Sequence, residues 1–164
     1  MVHWPPAEMT MRAQQALHDR LRRQRALILE SEPFSMTFTA RSDHIDELGH
    51  VNNAVWVAWL QQLSTSHWDA VARPEDKARY FWVVIRHEID YRGNIGLGES
   101  VTGLTHIPNP PCGAKSVRLA EFSDPSGKTI VRSSTTWAML ERASGKLARV
   151  RPEILAPFLA SAPR

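Results

Sequence analysis

The segment from Ala54 to about Val71 limits the fold more than any other. Trp56, Trp59, Leu60, Leu63, His67 and Val71 recur at helical spacing and mark one face. Val55, Val57 and Ala58 make much of the rest apolar too. A helix apolar most of the way round is buried, so other elements must surround it. The flanking sequence offers strands. Phe34, Met36, Phe38 and Ala40 alternate with Ser35, Thr37 and Thr39, a period-2 pattern with one buried face. After the helix, Arg73-Pro74-Glu75-Asp76 reads as a break. Tyr80 to Tyr91 is a long β-rich run with Val83, Ile85, His87, Ile89 and Tyr91 on one face. Ser100 to Ile107, Lys115 to Phe122 and Thr129 to Leu140 read as further strands, and Asp124-Pro125-Ser126-Gly127 as a tight turn. Leu147 to Val150 adds a short pairing segment before Pro152, and the last residues read as frayed or briefly helical. Short turns between consecutive strands make the sheet mostly antiparallel. One long apolar helix inserted after the first strand then gives an α+β fold with the sheet curled around that helix.

A chain of 164 residues is expected to form one principal domain, and 43% hydrophobic content suits a soluble core. Ahead of that domain, Pro5-Pro6 fits a helix start, and Ala7 to about Leu29 is rich in helix formers. Leu17, Leu21 and Ile28 form a thin apolar stripe, with Leu27 beside it and Arg20, Arg22, Arg23 and Arg25 around it. This predicts an amphipathic helix lying against the domain or a partner subunit. The expected division is a helical extension over 1–32, the main domain over 33–151 and a tail over 152–164.

The net charge of +3 suits an anionic ligand such as a phosphorylated cofactor, and fits a solvated basic surface as well. Beyond the short Arg20 to Arg25 run there is no basic block, so no nucleic-acid partner is expected. The lone Cys112 cannot form an internal disulfide, which points to a reducing compartment, and no nearby base is evident to activate its thiol. No stretch is long and apolar enough to span a membrane, and the N-terminus has no apolar signal core. Its Arg-rich amphipathic character faintly resembles a transit peptide, against which Glu8, Asp19, Glu30 and Glu32 argue. A cytoplasmic location without membrane association is expected. The glycines of Gly93 to Gly98 are spaced unlike a dinucleotide fingerprint.

Between the first strand and the central helix lies Asp43-His44-Ile45-Asp46-Glu47-Leu48-Gly49-His50-Val51-Asn52-Asn53-Ala54. Polar groups this dense between two core-forming segments are costly unless paired or used. The helix start that follows offers unpaired N–H groups and a positive dipole end, which can stabilise a developing oxyanion. A carboxylate just upstream, such as Asp46, can activate water or attack directly. Local pattern alone reads Asp46 as a turn cap.

Asp46-Glu47-Leu48-Gly49-His50-Val51-Asn52-Asn53-Ala54 resembles the D-x-x-G-H-V-N-N-A signature of hotdog-fold thioesterases, in the 4-hydroxybenzoyl-CoA and acyl-ACP thioesterase branch. Ile89-Asp90-Tyr91 is similar to the I-D-Y of that family's second strand, and the likeness runs from about Pro33 to Leu140. The resemblance implies a sheet wrapped round the central helix and subunits paired into a continuous sheet, as a homodimer or homotetramer. It implies active sites at the subunit interface, acyl-thioester hydrolysis, an acyl-CoA or acyl-carrier-protein substrate, and no cofactor. The family's catalytic carboxylate matches Asp46, and its backbone oxyanion donor falls on Asn53. The chain departs from the pattern at His44, where relatives often carry an acid, and at Gln61 and Gln62, where the central helix often carries Glu. Without that helix carboxylate, the chemistry rests on Asp46.

The remaining polar residues divide between chemistry and support. His50 either orients the loop or carries a proton. Of Asn52 and Asn53, one suits a left-handed backbone and the other (Asn53 by position) the helix cap, and their side chains border the thioester. Asp43, His44, Asp46 and His50 resemble a metal-ligand set but lack the Cys or third His of common zinc sites, so no metal is expected. His67 reads as a core or interface histidine, and Asp90, near His87 on the second strand, as a local pair or a brace for the site. Trp56, Trp59 and Trp68 read as core, with a share lining an acyl tunnel. Arg118, Arg132, Lys115 and Lys128 are candidates for coenzyme A phosphates as well as plain surface charge. Two other functions stand beside hydrolysis. One is a non-catalytic acyl-thioester-binding module on the same fold. The other is a hydratase chemistry, whose His motif this chain does not display.

Overall fold

The computed structural model describes Gln15, Asp19, Arg22 and residues 33–159. Apart from those three positions, the N-terminal helix expected over Ala7 to Leu29 lies outside the described residues. The chain runs through strand β1 (Phe34–Thr39), a 3-10 turn (Ser42–His44), helix α1 (Asn53–Val71), helix α2 (Pro74–Arg79), strands β2 (Tyr80–Tyr91), β3 (Ser100–His106), β4 (Lys115–Ser123) and β5 (Thr129–Glu141), and helix α3 (Pro152–Leu159). The five strands form one sheet in the order β1-β3-β4-β5-β2, with every neighbouring pair antiparallel. The α+β architecture expected from the sequence is therefore the one observed, with β1 and β2 at the two free edges.

Helix α1 lies on the inner face of this sheet. Trp56, Leu60 and Leu63 are almost fully buried there, with Phe122 and Val131 from the strands. Removing such side chains from water stabilises the fold by about 1.5–3 kcal/mol each. Trp59 fits between Phe38 and Trp56, with ring centroids 5.3 and 5.0 Å away. The helix approaches β3 closely at Gly103. A Cβ there would lie 2.8 Å from Phe122 Cε1 and 3.1 Å from Leu63 Cδ2. The missing side chain sets the helix-to-sheet distance.

Three expectations are corrected. Helix α1 is not buried all round, because Ala54, Ala58, Gln61, Gln62 and Thr65 line an exposed side. The alternation in β2 does not run unbroken. A bulge between Val84 and Arg86 sets Ile85 outside the register, leaving it 48% exposed, and only His87, Ile89 and Tyr91 continue on the inner face. The Arg73–Asp76 break is itself the start of helix α2, with Pro74 in the first turn and Arg73 bound to Asp76 at 2.7 Å. Of the two readings of the C-terminal residues, the briefly helical one holds through Leu159. Helix α3 buries Ile154, Leu155 and Phe158 against Tyr80, Met139 and Ile107.

Candidate functional site

The loop between β1 and α1 is held by its own polar groups. Asp46 Oδ1 accepts from the Leu48 N–H (2.9 Å) and the His50 N–H (3.3 Å), and the Asp46 N–H donates to the His50 carbonyl (2.9 Å). Gly49 supplies the left-handed backbone this tight turn requires, at φ +76. Among the described residues nothing donates to Asp46 Oδ2. The turn-cap reading of Asp46 is thus realised through one oxygen, with the other left over. His44 is anchored on both sides. Its Nδ1 accepts from the Arg41 N–H (3.2 Å), and its ring meets Trp59 edge-on at 5.4 Å. Asp43 turns outward to Arg41 (3.0 Å), whose hydrogen bond holds the Asp43 carboxyl below its ordinary range. His50 is exposed.

Two backbone bonds carry the loop into the helix. The Asn52 N–H donates to the His44 carbonyl (2.9 Å), and the Val51 N–H donates to the Ile95 carbonyl (3.0 Å). Asn52, not Asn53, is the helix cap. Its Oδ1 accepts from the Ala54 N–H at 2.9 Å, and Asn53 is the first helical residue. Neither asparagine is left-handed, since Gly49 takes that role. With Ala54 N–H bound to the cap, the exposed Asn53 N–H has no acceptor among the described residues. Tyr91, the last residue of β2, reaches the same place, its hydroxyl 3.5 Å from the Asn53 carbonyl.

Two supporting residues escaped the sequence reading. Asn94 donates from Nδ2 to the Val51 carbonyl (3.0 Å), and Glu99 accepts the Gly96 N–H (2.7 Å). They stiffen the neighbouring loop against which the polar segment rests. Their partners lie too far along the chain, or look too ordinary within a turn, for spacing to have revealed them.

The other candidates stand apart from this cluster. Trp56 is fully buried in the aromatic core, so it supports the helix rather than lining an open surface. Asp90 faces away from the helix and binds Arg92 (3.4 Å). Its register partner Arg132 binds Glu121 (3.5 Å) on the same outer face. Neither touches the loop. Arg118 is not surface charge. It points inward from β4 and is only 8% exposed. It sits near the C-terminal end of α1, where its Nη1 donates to His67 Nδ1 at 2.9 Å. His67 is stacked on Phe34 (4.8 Å), and burial, reinforced by the Arg118 charge, lowers its pKa to about 3. The His87 imidazole meets Thr135 Oγ1 at 2.9 Å on the inner face of the sheet. Among the described residues no three His, Cys, Asp or Glu side chains are grouped to hold a metal ion, and no helix is long and apolar enough to cross a membrane.

Comparison with known proteins places this geometry. Residues 31–158 match the acyl-ACP thioesterase N-terminal domain. No curated protein sequence matches the chain. Among solved structures, the fold superposes on a putative oleoyl thioesterase from Lactobacillus plantarum at a TM-score of 0.72 and 18% identity, covering 80% of this chain and 52% of that one. The chain thus spans about half the length of that relative. A hypothetical protein from Staphylococcus aureus in complex with CoA gives a TM-score of 0.70 at 11% identity, covering 82% of this chain and 88% of that one. A Thermus thermophilus thioesterase complexed with coenzyme A and Zn gives 0.67 at 22% identity, covering 79% and 93%. At these identities the structures speak for the fold, a sheet curved round a helix as in hotdog thioesterases. The family match spans more than half of the chain, and the chain belongs to the acyl-ACP thioesterase N-terminal domain family.

Proposed function

We propose that the protein hydrolyses an acyl thioester, with Asp46 as base or nucleophile and the Asn53 N–H as oxyanion donor. Membership of the thioesterase family supports acyl-thioester hydrolysis in general. The observation that carries the residue assignment is the unclaimed Asn53 N–H beside the carboxylate loop. An N–H at a helix start adds the dipole's positive end to the hydrogen bond it offers. Held by the Asn52 cap, it needs no rearrangement when charge develops on the thioester oxygen. Asp46 Oδ1 fixes the turn, which leaves Oδ2 to take a proton from water or to attack the carbonyl carbon. The thiolate leaves readily, so one carboxylate and one helix end suffice. His50 orients the loop, and Asn52 positions Asn53 through the cap.

The substrate proposed is an acyl-CoA or an acyl carrier protein thioester. The structures of two similar folds with coenzyme A bound favour the first. The free edge of β2, twelve residues long, suits pairing with a second copy into a continuous sheet. Such a dimer would place sites at its interface, with Tyr91 of β2 beside Asn53. Release of free thiol from a panel of acyl-CoAs and acyl carrier proteins tests the reading. Hydrolysis of at least one class is expected, and a folded protein inert toward every member would overturn it.

One observation favours a second reading. Asp46 already has a structural use as the acceptor for Leu48 and His50. A non-catalytic acyl-thioester binder would keep it for that reason alone. Saturable binding without turnover is the signature of that alternative.

A further inference from the structure

The C-terminal end of α1 borders a cavity of about 280 Å³ between the helix, the sheet and α3. Its walls are mostly aromatic and aliphatic, among them Trp68, Trp82, Leu155 and Phe158. A cavity of this size lies near the bottom of the range for small-molecule sites, about 300–1,000 Å³. Two polar groups in the wall lack what burial normally demands. Arg118 is 8% exposed, and among the described residues its guanidinium meets only neutral groups: His67 Nδ1 (2.9 Å), Thr105 Oγ1 (3.4 Å) and the face of Phe158 (5.7 Å to the ring centroid). Burial lowers its pKa to about 10, with no carboxylate counteracting, so it stays charged at neutral pH. Asp69, the one acidic residue in the lining, makes no ion pair with it among the described residues. The second group is Trp137. It is 8% exposed, and its Nε1 is buried with no acceptor among the described residues.

A buried charge without a counter-charge is costly, and so is a buried hydrogen bond left unmade. Both defects in one apolar cavity share one remedy, an acceptor that carries negative charge. Lys77 and Arg142 at the lining add to the positive potential. We propose that this cavity is a binding site for a small apolar monocarboxylate, its carboxylate on the Arg118 guanidinium and the Trp137 N–H and its body among the aromatic walls. The site lies beyond Ser64 on α1, at the other end of the helix from Asp46 and Asn53, and does not depend on the thioesterase reading.

Titration of the full chain with octanoate and with octanol, by calorimetry and by quenching of tryptophan emission, tests the proposal. Octanoate is expected to bind at least tenfold more tightly than octanol. Arg118→Met, which removes the charge while keeping an apolar stem, should bring the two to near equality. Trp137→Phe should weaken octanoate several-fold and leave octanol unchanged. Asp46→Asn should alter neither. Equal binding of acid and alcohol by the unmodified protein would overturn the proposal. So would an acid preference that persists in both Arg118→Met and Trp137→Phe, or one abolished by Asp46→Asn, which would place the acid at the other end of the helix. Circular dichroism of each variant, with melting followed in the absence of ligand, separates lost binding from lost fold.

Discussion

Helix α1 has two differently built ends. At its start, Asn52, Asn53 and Ala54 are exposed, and the polar groups are bound by short local bonds within the loop and the cap. Toward its other end, His67 and Arg118 are buried among Phe34 and Phe158, and their bond joins residues fifty-one positions apart. The first arrangement leaves an N–H and a carboxylate oxygen without a partner among the described residues. The second removes a cation and an imidazole from water. Polar groups at the exposed end can be used in chemistry at little cost to stability, since water still solvates them. Polar groups at the buried end affect stability whatever else they do.

That contrast can be broken by mutation, beginning with the rigid part between the ends. Trp56→Ala should cost about 3–5 kcal/mol in denaturant unfolding, because the ring has no solvent-exposed surface and leaves a cavity against Phe122. At the buried end the lever is pH. His67 stays neutral in the folded chain down to about 3, whereas unfolded histidine titrates near 6.5. The folded value is the lower one, so the unfolded chain takes up the extra proton within that window. The stability His67 confers is complete above pH 6.5 and is lost as pH falls toward 3, by up to about 1.4 kcal/mol per unit. Unfolding free energies of the unmodified chain and His67→Gln, measured across pH 3–8, should converge on the acid side. Curves that stay parallel would remove the contrast.

Gly103→Ala should cost about 1–3 kcal/mol, since the added methyl meets Phe122 and Leu63 at less than ordinary contact distance. At the exposed end, Asn52→Ala should cost only about 1 kcal/mol, the worth of one cap. Its thioester turnover should fall further than that suggests, because the cap also aims the Asn53 N–H. Equal losses of stability from Asn52→Ala and Trp56→Ala would mean that the two regions are not built differently.

Much of the fold was legible because single residues declare it. The Trp-rich helical stripe and the alternation in β1 depend only on neighbours in sequence. The proposed site was legible as a loop, since the Asp46–Ala54 run is contiguous, but not in its details. Two adjacent asparagines are equivalent on paper, and only the bond from the Ala54 N–H to Asn52 shows which is the cap. The bulge at Ile85 is invisible to a period-2 pattern, because valine and isoleucine fill either face equally well. Arg118 reads as a candidate for coenzyme A phosphates or as plain surface charge, because its residue type alone does not show which face of the strand it takes. In Lys115–Phe122 apolar residues fall on both alternating sets, Val117 and Leu119 on one and Ala120 and Phe122 on the other. The register with β5 turns Ser116, Arg118, Ala120 and Phe122 inward, with Val117 left 36% exposed. Pairing decides that orientation, and pairing is long-range.

Asp46→Asn tests the central claim most directly, because Asn Oδ1 can still accept the Leu48 and His50 N–H groups while the negative charge is gone. The measurement is kcat/KM for thioester hydrolysis alongside the melting temperature of the same preparation. A fall of roughly 10²–10⁴-fold with an unchanged melting temperature is expected for loss of a base. Activity that survives the substitution would contradict the account and leave Asp46 as the cap of its turn alone.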